Sequence, residues 1–152
     1  MKLPDPSLKL TEHFTLGEMT TTNHRSLMHQ NLVEAQGHID ALRATCLLAE
    51  KVRALFGRPM IVHSGYRCPA LNKRIGGSPR SQHMLGQALD FHVVGVDLEH
   101  VYEAIEQSGI PLGQCILEGY RGRHPSWLHL SLGYPWRPRG KSMQFFRLQV
   151  DP

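Results

Sequence analysis

Ten histidines stand in this chain of 152 residues, and one of them sits in a segment suited to chemistry. His83 is followed seven residues later by Asp90, in the run Ser81-Gln82-His83-Met84-Leu85-Gly86-Gln87-Ala88-Leu89-Asp90. The small residues Gly86 and Ala88 let the backbone turn tightly and pack closely. A loop imidazole can then face a carboxylate at the start of a strand. That pair suits Zn²⁺, a borderline-soft ion. A third donor must come from elsewhere, and His129 is the best candidate. In Trp127-Leu128-His129-Leu130-Ser131, strand alternation sends the two leucines to one face and His129 to the other. Three protein donors and a fourth position for water describe a catalytic zinc centre, whereas a structural one is usually closed by four. The short spacing also fits histidines that are merely hydrogen-bonded and partly buried, so the pair does not decide between the two by itself. His13, His24, His29, His38 and His100 lie in polar segments without a partner pattern and read as solvent-exposed.

The elements that must hold these groups are visible as periodicity. Ile39, Leu42, Cys46, Ala49, Val52 and Phe56 recur at spacings of three and four, which predicts a one-faced helix stopped by Gly57 and Pro59. Met60 to Val62 is a short β-prone run, and Cys68 to Ser81 reads as loop with a turn of helix near Ala70–Arg74. Ala88 to Val94 predicts a strand. Asp97 is placed to cap a second helix with Leu98, Val101, Tyr102 and Ile105 inward, ended by Gly109. Strands are expected at Gln114–Glu118 and Trp127–Leu132, joined by a basic loop, and a last one at Gln144–Val150. Upstream, Thr15 and Glu18 have capping-box spacing, and Thr20 to Asn31 reads as polar loop. The expected fold is α+β. One domain over residues 1–152 holds a small antiparallel sheet that carries the zinc site, with helices packed against it.

Composition narrows the setting. Hydrophobic residues make up 41% and charged residues 20%, which supports a folded core rather than a disordered chain. The cysteines Cys46, Cys68 and Cys115 are odd in number and form no C-x-x-C pair, which argues against a disulfide framework or a cysteine zinc knuckle. Reduced thiols fit a cytosolic product. The net charge of +4 favours anionic partners without choosing among them. The Arg-rich stretches at 121–124 and 137–141 come with no stacking motif or helix-turn-helix spacing, so no nucleic acid is expected as a partner. No run approaches membrane-spanning length, and the N-terminus has no apolar leader; the expectation is a product made in the cytoplasm without a signal peptide.

Several linked motifs resemble one family. They are Ser64-Gly65-Tyr66-Arg67-Cys68-Pro69-Ala70-Leu71-Asn72, then Gly76-Gly77-Ser78-Pro79, Ser81-Gln82-His83, Gly86-Gln87-Ala88-Leu89-Asp90 and Trp127-Leu128-His129. In this order they are similar to the core of the M15 peptidases: D-alanyl-D-alanine carboxypeptidases and L-alanyl-D-glutamate endopeptidases, phage endolysins among them. Phe14-Thr15-Leu16-Gly17-Glu18 and the helix before Pro59 resemble the small single-domain branch. The resemblance implies one Zn²⁺ per chain, held by His83, Asp90 and His129. It places Arg67 near the substrate's carboxylate or polarised carbonyl and Ser81 beside the bound substrate. Glu118, at the end of Gly113-Gln114-Cys115-Ile116-Leu117-Glu118, matches the general base. The chain departs from the pattern where relatives carry an Asp, here Gly113, and in a longer loop before Trp127. The implied activity is hydrolysis of peptide bonds in the stem peptides of bacterial peptidoglycan, as a carboxypeptidase or an endopeptidase. A monomer is expected, acting on the cell wall once released or delivered there. The alternative is a zinc-stabilised binding module of the same fold without catalysis, as the zinc domain of hedgehog signalling proteins resembles.

Overall fold

The computed structural model describes residues 3–138 and 142–149. In chain order the elements are β1 (Lys9–Thr11), β2 (Phe14–Thr15), α1 (Arg25–Glu34), α2 (Ile39–Phe56), β3 (Met60–Ser64), α3 (Pro69–Arg74), β4 (Ala88–Val93), α4 (Leu98–Ser108), β5 (Gln114–Glu118), β6 (Trp127–Ser131) and β7 (Gln144–Arg147). The fold is α+β, as expected.

Helix α2 follows from its stripe. Leu42, Cys46, Ala49 and Val52 are completely buried. Gly57 ends the helix at φ 62°, with its N–H returning to the Arg53 carbonyl. Helix α4 buries Val101, Tyr102 and Ile105; Asp97 sits at its N-cap position, but its side chain makes no capping bond. Both helices contact the main sheet and share one core with Leu89, Phe91 and Val93 of β4 and with Leu128 and Leu130 of β6. The capping box upstream forms as its spacing predicts: the Thr15 N–H donates to Glu18 Oε1 and the Glu18 N–H to Thr15 Oγ1, both at 3.2 Å.

The sheet has five strands in the order β3-β4-β6-β5-β7. The expectation of an antiparallel sheet needs correction: the first four strands are antiparallel to their neighbours, but β7 lies parallel to β5, so the sheet is mixed. Antiparallel neighbours can be joined by a tight turn, while a parallel pair requires the chain to cross back first. Residues 132–143 separate β6 from β7 and allow that return. Strand β7 is also shorter than expected, and Val150 lies outside the described residues.

A second correction concerns residues 20–31. The polar stretch contains most of helix α1. Its anchor is polar, so no apolar stripe announces it. The Asn31 side chain is fully buried; it donates to the carbonyls of Thr20 and Tyr66 and accepts the Cys68 N–H at 2.7 Å. One amide thereby ties α1 to the two segments that lead into the site.

Candidate metal centre

The site is assembled by the sheet register. Asp90 on β4 is directly opposite His129 on β6, and Ile116 on β5 is opposite His129 from the other side. His83 arrives from the 3-10 turn Gln82–Leu85, which ends at Gly86 in the left-handed region. Ser81 caps that turn, its Oγ accepting the His83 N–H at 3.2 Å. The three side chains converge. His83 Nε2 is 3.2 Å from Asp90 Oδ1 and 3.3 Å from His129 Nδ1, and His129 Nδ1 is 3.0 Å from Asp90 Oδ1. All three are buried or nearly so.

The donor chemistry fits a divalent cation. His83 Nδ1 lies 2.7 Å from the Gly65 carbonyl and must donate to it, which leaves the Nε2 lone pair aimed at the other two donors. Gly65 itself packs tightly on Met19, since a Cβ there would come within 2.4 Å of the Met19 carbonyl oxygen. Burial pushes the Asp90 carboxyl up, but its polar neighbours outweigh this and hold Asp90 well below the usual carboxylate range. The group is therefore an anion, as a metal ligand must be. Two imidazole nitrogens and a carboxylate oxygen are a donor set suited to zinc. Among the described residues no fourth protein ligand joins the three, which leaves a position for water.

Around this set lies a cleft of about 570 Å³ lined by Arg67, Ser81, Gln82, His83, Glu118 and His129, with Arg80 and Arg137 also on its wall. Arg67 is held on three sides. Its Nε donates to Ser64 Oγ, its Nη1 to Asn72 Oδ1 at 3.3 Å and its Nη2 to Asp90 Oδ2 at 3.1 Å. Asp90 thus offers Oδ1 to the histidines and Oδ2 to the guanidinium. Glu118 stands at the end of β5, opposite Trp127, and its Oε2 accepts the Trp127 indole N–H at 3.0 Å. The eight-residue connection at 119–126 does not shift this register. It closes on itself through a bridge between Arg121 and His124, and the Ser126 N–H returns to the Glu118 carbonyl. Gly119 makes room for the indole, because a Cβ there would meet the Trp127 ring at 2.3 Å. His124, exposed on that connection, is not among the residues lining the cleft.

The structure therefore brings together every residue singled out for the site: His83, Asp90, His129, Arg67, Ser81 and Glu118. Reading the sequence missed three contributors. Ser64 and Asn72 orient the Arg67 guanidinium, and Gln82 brings a buried Oε1 that has no hydrogen-bond partner among the described residues. All three fall within the quoted motif stretches, but nothing in their spacing announces these bonds. Of the histidines expected to be solvent-exposed, His13 is exposed and pairs with Glu50 at 2.6 Å, whereas His38 is half-buried and stacks on Tyr66 at 5.0 Å between ring centroids. His24 is half-buried, whereas His29 and His100 are exposed as expected.

A buried His-Asp-His set beside a cleft is an arrangement that could hold a metal ion on three side chains. The chain belongs to the peptidase M15 family, whose profile matches residues 12–131. Membership makes it a peptidase by family, and the family's general dependence on zinc agrees with the donor set. No curated protein matches the chain. Among the described residues, no helix is long and apolar enough to cross a membrane.

Proposed function

We propose that this chain is a zinc peptidase that hydrolyses peptide bonds in the stem peptides of peptidoglycan. The observation that carries the reading is the convergence of His83, Asp90 and His129 at 3.0–3.3 Å beneath a cleft that also holds a carboxylate and a guanidinium. Zinc bound to these three residues supplies Lewis acidity and lowers the pKa of water to about 7.

The remaining work falls to side chains. Glu118 shares the cleft with His83 and His129 and has one oxygen on the Trp127 indole, which fixes the carboxylate's orientation. It serves as general base, taking the proton of the attacking water and passing it to the leaving amine. Arg67 keeps Asp90 in place with one arm and stands at the cleft wall, where a cation steadies the negative charge that develops on the scissile carbonyl. Burial lowers the pKa of Arg67, but Asp90 and Glu118 oppose this, so the group stays cationic. Ser81 fixes His83 through the backbone and lies on the same wall. Arg80 and Arg137 give the cleft a positive wall, which suits stem peptides with their free carboxylates.

Incubation of the purified chain with peptidoglycan is expected to release new amino and carboxyl termini from the stem peptides, and a chelator is expected to stop it. The size of the released fragment distinguishes removal of a terminal residue from internal cleavage. Release of reducing sugar ends would overturn the reading. Zinc bound at one per chain with no release from walls or synthetic stem peptides would favour the binding module.

A further inference from the structure

Two histidines outside the centre face each other across the β3–β4 pair. His63 Nε2 and His92 Nδ1 are 2.7 Å apart, with ring centroids at 4.9 Å and planes inclined by 34°. The register explains the meeting. Val62 opposes Phe91 and Ser64 opposes Asp90, so His63 is the extra residue of a β-bulge. A bulge interrupts alternation and re-aims a side chain. His92 follows Asp90 by two residues and so shares its face of the sheet. Ile61 opposes His92, so His63, two residues on, lies on the same open face, while the bulge turns Ser64 to the Asp90 side, where it reaches Arg67. His63 is exposed and His92 half-buried, so the pair is open to solvent. His63 also lines a second cleft of about 250 Å³, on whose wall Arg67, Asp90 and Trp127 appear as well.

We infer that His63 and His92 form a second, exchangeable site for a first-row divalent cation, separate from the centre made by His83, Asp90 and His129. Two neutral imidazoles offer the borderline donors that Zn²⁺, Ni²⁺ and Cu²⁺ prefer. Zinc–nitrogen bonds of about 2.0–2.1 Å at a tetrahedral angle place two nitrogens roughly 3.3 Å apart. The rings need to part by only about 0.6 Å, which an exposed side chain on a bulge accommodates. The proton now shared between the facing nitrogens passes through solvent to the far nitrogen of the same ring, so none is released on balance. Solvent completes the coordination. With one donor fewer and no carboxylate, the site binds at least about tenfold more weakly than the three-residue centre. It also lies close to that centre, since two residues along a strand cover about 7 Å.

The test is calorimetric titration of the full chain with Zn²⁺ at neutral pH, beside His63→Gln and His92→Gln. Wild type is expected to show a tight and a weak class of site, one equivalent each. Each variant is expected to lose the weak class and keep the tight one, with an unchanged circular dichroism spectrum. His63 is exposed, so its replacement by Gln leaves the core untouched and decides the matter if the His92 variant folds poorly. A single equivalent in wild type would overturn the inference. So would a weak class that survives both substitutions, which would belong to other surface histidines, and so would loss of both classes in His63→Gln.

Discussion

The two faces of strand β4 divide the labour of the molecule. Leu89, Phe91 and Val93 point into the core against α2 and α4 and are almost wholly buried. Asp90 and His92 point the other way, toward His129, Arg67 and His63. On the first face the contacts are dry and non-directional, and what matters is filled volume. On the second, polar atoms meet partners at defined distances, and what matters is which atom faces which. A residue spacing of one along the same strand therefore separates a position that sets stability from one that sets chemistry. Substitutions on the two faces should be told apart by different readouts.

The largest effect is expected on the polar face. His83→Ala and His129→Ala should each lose the bound zinc and all measurable turnover while the far-ultraviolet circular dichroism persists. Full zinc occupancy in both variants, measured by elemental analysis, would break the division. On the apolar face, Phe91→Ala should lower unfolding stability by about 3–5 kcal/mol in chemical denaturation, through lost burial and the cavity left behind. The folded fraction should keep one tightly bound zinc per chain; loss of that metal would mean that the two faces are not independent. Glu118→Gln sharpens the comparison from within the cleft. Zinc content and fold are expected to stay, with turnover reduced about a hundredfold or more, as for removal of a general base. His124→Ala, measured alongside, should leave turnover near normal, and the opposite pattern would move the base to the loop. The smallest effect is expected far from both faces. Arg147 makes a two-pronged, partly exposed contact with Glu99 and lies 4.5 Å from the centre of the Tyr102 ring. Arg147→Ala should cost about 1 kcal/mol or less, diminishing further in high salt.

Legibility in the sequence tracked how local each signal was. The α2 stripe, the Gly57 stop and the Thr15–Glu18 box each depend on neighbours a few residues apart, and each formed as read. The strands holding Asp90 and His129 showed as short apolar runs with polar residues between. Helix α1 did not show, because Asn31 anchors it by hydrogen bonds to residues 11 and 35 positions away rather than by an apolar face. The direction of β7 did not show either, since alternation along a strand is the same whether its neighbour runs parallel or antiparallel.

For the site, residue types and motif order were enough to choose His83, Asp90 and His129 from ten histidines and thirteen acidic residues. They say which atoms can bind a metal or move a proton. Only the tertiary structure set Asp90 opposite His129, turned one carboxylate oxygen to the histidines and the other to Arg67, and brought His63 against His92 through the pairing of β3 with β4. The physical reason is that donor chemistry resides in a single side chain. The distance between donors 39 or 46 positions apart is decided by strand register and by the packing that holds it.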